Sequence, residues 1–68
     1  MPRFFFDLAH GGDTYHDKQG TSLHDLWLAR QTAIAMADRL AGEAKGHDVV
    51  CTVRDINGRQ VIQITKQA

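Results

Sequence analysis

The sequence predicts a small α+β domain of ββαββ order: an antiparallel four-stranded sheet with one helix packed on one face. Three observations carry this. The segments 3–16 and 49–65 both alternate apolar with polar residues and both turn on a glycine-bearing dipeptide, which marks two hairpins. Between them, apolar residues recur at steps of three and four over some five turns, the period of a helix. With 68 residues in all, there is room for a single domain and one layer of each kind.

The first element is "RFFFDLA" at 3–9. Strand alternation sets Phe4, Phe6 and Leu8 on one side and Arg3, Phe5, Asp7 and Ala9 on the other. Gly11-Gly12 supplies the turn, because glycine accepts positive φ at little cost. With those two residues as the loop, Leu8 faces Tyr15 and Asp7 faces His16 in a short second strand. The following "DKQGTS" is expected to loosen into a loop. Strand order is not readable from one sequence, although a central first strand best explains its aromatic content.

The helix is expected within "SLHDLWLARQTAIAMADRLAGEAKG". Ser22 with Asp25 resembles a capping box, and Asp25 is equally suited to be the cap itself. Leu26, Ala29, Ala33, Met36, Ala37, Leu40 and Ala44 form the core stripe, with Trp27 and Ile34 on its flank and Trp27 packed on a sheet edge. Gln31, Asp38, Arg39 and Glu43 take the outer face, and Gly42 and Gly46 weaken and then end the helix. The alanines predict a close approach to the sheet with little buried area per residue.

The last hairpin, "VVCTVRDINGRQVIQIT", contains Asn57-Gly58, the strongest short hairpin signal. As a two-residue loop these pair Ile56 with Arg59, Val53 with Ile62 and Cys51 with Ile64. Val49, Cys51, Val53, Ile62 and Ile64 then share one face, so turn and apolar pattern give the same register.

Composition narrows function. Hydrophobic content is 43%, charged content 24%, and acidic and basic residues cancel to a formal charge of +0. The chain is therefore expected to be folded, and it offers no global field for a polyanion. A lone cysteine, Cys51, excludes an internal disulfide and fits a reducing compartment. The start lacks the basic-then-apolar layout of a signal peptide, and no apolar run approaches a membrane span. A soluble cytoplasmic protein is the expectation.

One helix covers one side of a sheet. The other side is expected to show Arg3, Phe5, Val50, Thr52, Arg54, Ile56, Val61, Gln63 and Thr65, more apolar than a purely solvated face needs. Arg3, Phe5, Val50, Arg54 and Val61 are accordingly the candidate partner-binding residues, with a homodimer as the commonest way for an unstapled small domain to bury a second face. The bland alternative is a half-polar face left in water. A second alternative is single-stranded nucleic acid, with Phe5 stacking a base and Arg3 and Arg54 on phosphates. A third is a metal held by His10 and His16 with Asp13 and Asp17, although no zinc-type spacing of paired ligands is present. Cys51 falls on the core face and reads as packing rather than a nucleophile. No Ser-His-Asp set, carboxylate pair or phosphate loop stands out, so no enzyme activity, catalytic residue or cofactor is expected.

The segments "MPRFFFDL", "DKQG", "LARQTA" and "VRDINGRQV" together resemble a family of short, uncharacterised proteins of rhizobia and other alphaproteobacteria, catalogued as a domain of unknown function. The resemblance runs through Arg3, Phe4, Phe6, Leu8, Asp17, Gly20, Ala29, Arg30, Ala33, Asp55, Gly58 and Arg59. "HGGDTYH" departs from the family, which is Asp/Gly-rich there without two histidines. The resemblance implies a stand-alone bacterial domain and no particular activity or cofactor. Asp17 and Asp55 read as turn aspartates bonding their own backbone, and Arg30 as a partner for an acidic loop residue.

Overall fold

The computed structural model describes residues 1–68. It is α+β, with one helix on an antiparallel sheet of five strands rather than four. In chain order these are β1 (Arg3–His10), β2 (Asp13–Tyr15), β3 (Thr21–Ser22), α1 (Leu26–Glu43), β4 (Val49–Arg54) and β5 (Gln60–Lys66). The sheet order is β2-β1-β4-β5, and β3 also pairs with β1. The first strand is therefore interior, as its aromatics suggest.

The extra strand comes from the segment expected to be loose. Tyr15 lies opposite Leu8 as predicted. After residues 16–20 leave the edge, the chain returns to pair Thr21 with Phe4 and Ser22 with Arg3. β2 and β3 thus act as one edge strand with an excursion in its middle. A two-residue strand has no periodicity to read, so the sequence gives no sign of it.

The turns explain the register. Gly11 has φ +56° while Gly12 is not in the positive region, the pattern of a II′ hairpin turn. At the second hairpin the expected Ile56–Arg59 pair does not form. Asp55 N–H donates to the Arg59 carbonyl at 2.9 Å and Gly58 N–H to the Asp55 carbonyl at 3.0 Å. Gly58, with φ +82°, completes a three-residue loop of the turn-plus-bulge kind. That loop moves the register by one residue. A second irregularity between Val53 and Arg54, which sets Arg54 opposite Gln60 and Val53 opposite Ile62, moves it back. The two shifts cancel, so Val53–Ile62 and Cys51–Ile64 pair as expected while the turn itself differs. Val61 is the bulged residue and packs against the core, not on the opposite face.

Asp25 caps α1, its carboxylate accepting from Leu28 N–H at 2.9 Å. The helix ends at Glu43, before Gly46 with φ +86°. Ala29, Ala33 and Ala37 are its buried residues, set against Phe4, Phe6, Val49, Cys51 and Val53. Burying each large side chain of this set contributes about 1.5–3 kcal/mol, whereas the alanines chiefly bring the helix close. Met36 and Leu40 are partly buried. Leu26, expected in the core stripe, is 50% exposed, and Trp27 is 65% exposed rather than packed on a sheet edge. The helix rests on β4 and β5 and barely on β1.

Candidate functional site

The face opposite the helix is where the sequence places a bare docking surface. Phe5 does lie there, but it is not bare. It is half-buried, and the chain between β2 and β3 folds over it. A Cβ built on Gly20 would stand 2.9 Å from the Phe5 ring and 2.8 Å from the Phe4 carbonyl oxygen, and Gly20 has φ +74°. Only glycine fits both the approach and the backbone angle. The Arg54 guanidinium sits 5.1 Å from the centre of the same ring, within cation–π range.

A network of ionisable groups fastens this cover. Arg54 donates through Nε to Asp7 Oδ2 at 2.6 Å and through a terminal nitrogen to Asp7 Oδ1 at 3.2 Å. The same terminal nitrogen donates to the Asp17 carbonyl at 2.9 Å. His16 Nδ1 lies 3.4 Å from Asp7 Oδ1, next to the position predicted for it. Asp17 closes the loop upon itself, accepting from Gln19 N–H at 3.1 Å and Gly20 N–H at 3.0 Å, the aspartate turn expected there. Its other oxygen accepts from Phe6 N–H at 3.1 Å. That N–H points to the gap in the edge between β2 and β3, and the carboxylate takes the place of a missing strand residue. Arg3 reaches over to the Gln19 carbonyl at 2.6 Å.

The charges respond to these bonds. The hydrogen bond from Arg54 is the main reason the Asp7 carboxyl is held below its ordinary value, against partial burial. At Asp17 burial pushes the carboxyl up, but the N–H groups of Gly20, Phe6 and Gln19 together prevail and hold it down. Arg54 is stabilised as a cation by the same Asp7 bond. Burial, with a smaller push from the Asp7 charge, raises the Cys51 thiol to about 11. Cys51 is buried and free, a packing residue.

The predicted site residues are therefore dispersed in role. Arg3, Phe5 and Arg54 belong to the loop cover, Val61 to the core side, and Val50 stays on the open face, opposite Ala9 and Thr65. Arg30 is exposed and makes no ion pair, so the loop partner expected for it is not found. His10 and His16 are not brought together: His10 and Asp7 are an odd number of residues apart on one strand and point to opposite faces, and His16 stays with Asp7. No three His, Cys, Asp or Glu side chains converge as a metal site would require. Asp55 accepts from the N–H groups of Asn57 and Arg59, both at 2.9 Å, as a turn aspartate. The residue that sequence reasoning missed is Asp7. Its signal, a carboxylate two residues along β1 from Phe5, the residue opposite Arg54, requires β1 to lie beside β4, and strand order is not readable from one sequence.

The apolar exposure lies elsewhere. Met1 is 73%, Leu26 50%, Trp27 65% and Ile56 68% exposed. All four sit at one end of the molecule: Met1 precedes β1, α1 starts just after β3 at the beginning of β1, and Ile56 is in the turn beyond the Phe5–Arg54 pair. Tyr15, the remaining large exposed apolar side chain, belongs to the opposite half. A shallow depression of about 160 Å³ lies between Leu8, Met36 and Leu40, rimmed by Arg39 and Glu43. No helix is long and apolar enough to cross a membrane.

No curated protein matches the chain, and no solved structure does. A family model matches residues 3–66, nearly the whole chain, and every part of the Asp7–Asp17–Arg54 cover falls within the match. The chain belongs to that family, described as "Domain of unknown function (DUF6894)".

Proposed function

We propose that the chain is a non-enzymatic accessory module that acts by binding protein, itself included, in a reducing compartment such as the cytoplasm. What supports this reading is the gathering of Met1, Leu26, Trp27 and Ile56 at one end. Large apolar side chains left exposed at one end of a small domain favour association there, as exposed apolar surface does in general. Trp is also the residue most often found to dominate binding. The one constellation of ionisable groups is occupied in fastening the loop over Phe5, which leaves it poorly placed for acid–base work. That constellation also weakens the nucleic-acid alternative, because Arg54 is neutralised by Asp7 and the Phe5 ring faces Gly20.

The test is affinity purification of the tagged chain from its own cells, beside the double variant Trp27→Ser, Ile56→Ser. Specific protein captured by the natural sequence and lost from the folded variant is the expected result. The same set captured by both would overturn the assignment to this end.

A further inference from the structure

We propose that the partner includes a second copy of this chain, joined edge to edge through β5 into one continuous sheet with the two helices packed side by side. The inference rests on the interaction-module reading and names the occupant. β5 is the free edge of the sheet, seven residues long with nothing paired beyond it. An edge strand is a template for another strand. Two guards stand on this strand: the bulge at Val61, which leaves Ile62–Lys66 regular, and Lys66, which is already engaged with Asp38 of the helix at 3.3 Å.

The strand is self-complementary. About a two-fold axis at Gln63, antiparallel pairing sets Ile62 opposite Ile64 of the second copy, and the bulge at Val61 ends the regular ladder there. No like charges meet, and apolar residues oppose one another on the helix side.

The position of the helix makes the same geometry productive above the sheet. It rests over β4 and β5, so the helices of two copies joined at β5 lie about two strand spacings apart, about 9.5 Å. Packed helices sit about 8–10 Å apart. Trp27, Arg30, Ile34, Asp38 and Ala41 recur at steps of three and four, and the Lys66–Asp38 pair shows that this flank faces β5. In the antiparallel pair of helices, meeting at Ile34, Trp27 approaches Ala41 of the second copy. Arg30, unpaired within one chain, approaches Asp38 of the second copy. Trp27 is thereby accounted for by the second copy, leaving Met1, Leu26 and Ile56 at the end.

The experiment uses Gln63, exposed and facing its own copy across the axis. Analytical ultracentrifugation of the natural chain at micromolar concentration should give the mass of two copies. Gln63→Lys and Gln63→Glu, each folded by circular dichroism, should each weaken association by ~10-fold or more, and an equimolar mixture should regain it because opposite charges then meet. A strictly monomeric natural chain, or a dimer indifferent to both variants and their mixture, would overturn the proposal. A monomer that still captures a protein through Trp27 and Ile56 overturns the β5 pairing alone, whereas loss of both overturns the interaction reading as well.

Discussion

Asp7 and Asp17 clasp β1 and the loop from both sides: Asp17 N–H donates to Asp7 Oδ1 at 2.9 Å, while Asp17 Oδ2 accepts from the N–H of Phe6, the neighbour of Asp7, at 3.1 Å. This reciprocal clasp fixes the excursion between β2 and β3 across Phe5. It covers the Phe5 end of a face that alternation alone leaves open, while Val50, Gln63 and Thr65 stay outside the cover.

Loss of the clasp should be costly. Asp17→Ala removes the acceptor of three backbone N–H groups, those of Phe6, Gln19 and Gly20. An orphaned, part-buried donor costs about 1–3 kcal/mol, and the more exposed ones less. We expect a loss of about 2–3 kcal/mol in urea unfolding. That is a large share of the stability of a chain this size, about 3–10 kcal/mol. A loss under about 0.5 kcal/mol would mean that water replaces the carboxylate.

Two glycines separate backbone strain from crowding. Gly58 and Gly20 both have positive φ, but a Cβ at Gly58 meets nothing within 4 Å, whereas at Gly20 it meets Phe4 and Phe5. Gly58→Ala should cost about 1 kcal/mol from the φ alone. Gly20→Ala should cost clearly more, and equal losses in thermal or urea melts would contradict the close approach.

Acid should release the cover. Asp7 and Asp17 both titrate below their ordinary value of 3.8 when folded. Their stabilisation is therefore complete above that value and is lost as pH falls through the lower folded values. Unfolding free energy should decline as pH falls through 3.8 and below it, and less steeply in Asp7→Asn, which is weaker at neutral pH. Equal slopes for the two proteins would remove Asp7 from the account.

The helix–sheet contact predicts intolerance of bulk. Ala33 is fully buried at the centre of the alanine row. Ala33→Leu should destabilise by about 1–3 kcal/mol through overpacking, read from the urea midpoint, despite the greater apolarity of leucine. A gain in stability would show a cavity at this contact.

Cys51 should be inert in the native protein, being buried with its thiol raised to about 11. A disulfide reagent at mildly alkaline pH should label it only after urea is added. Prompt labelling without urea would contradict its placement in the core.

What was legible in the sequence follows physical lines. β4 and the helix stripe were readable because Val49, Cys51 and Val53 alternate and Ala29, Ala33 and Ala37 recur every four residues, and burial enforces both patterns. The register at Cys51–Ile64 was right even though the turn differed, since core facing constrains the strands more tightly than the loop does. The cover was not readable. It depends on β1 lying beside β4, on a two-residue strand without a pattern, and on Gly20, whose role is defined by Phe5 rather than by its neighbours in sequence. Asp17 was recognised as a turn residue because that bond is local. Its bond to Phe6 is not local and left no trace.

The most direct measurement of the central claim, that the chain covers Phe5 with its own loop, is hydrogen exchange at the Phe6 amide, whose partner is the Asp17 carboxylate. Protection close to that of the β1–β4 ladder, collapsing in Asp17→Ala while that ladder stays protected, is the result this account predicts. A Phe6 amide that exchanges as fast as a frayed terminal amide in the natural chain would mean the cover does not hold and the face opposite the helix is open.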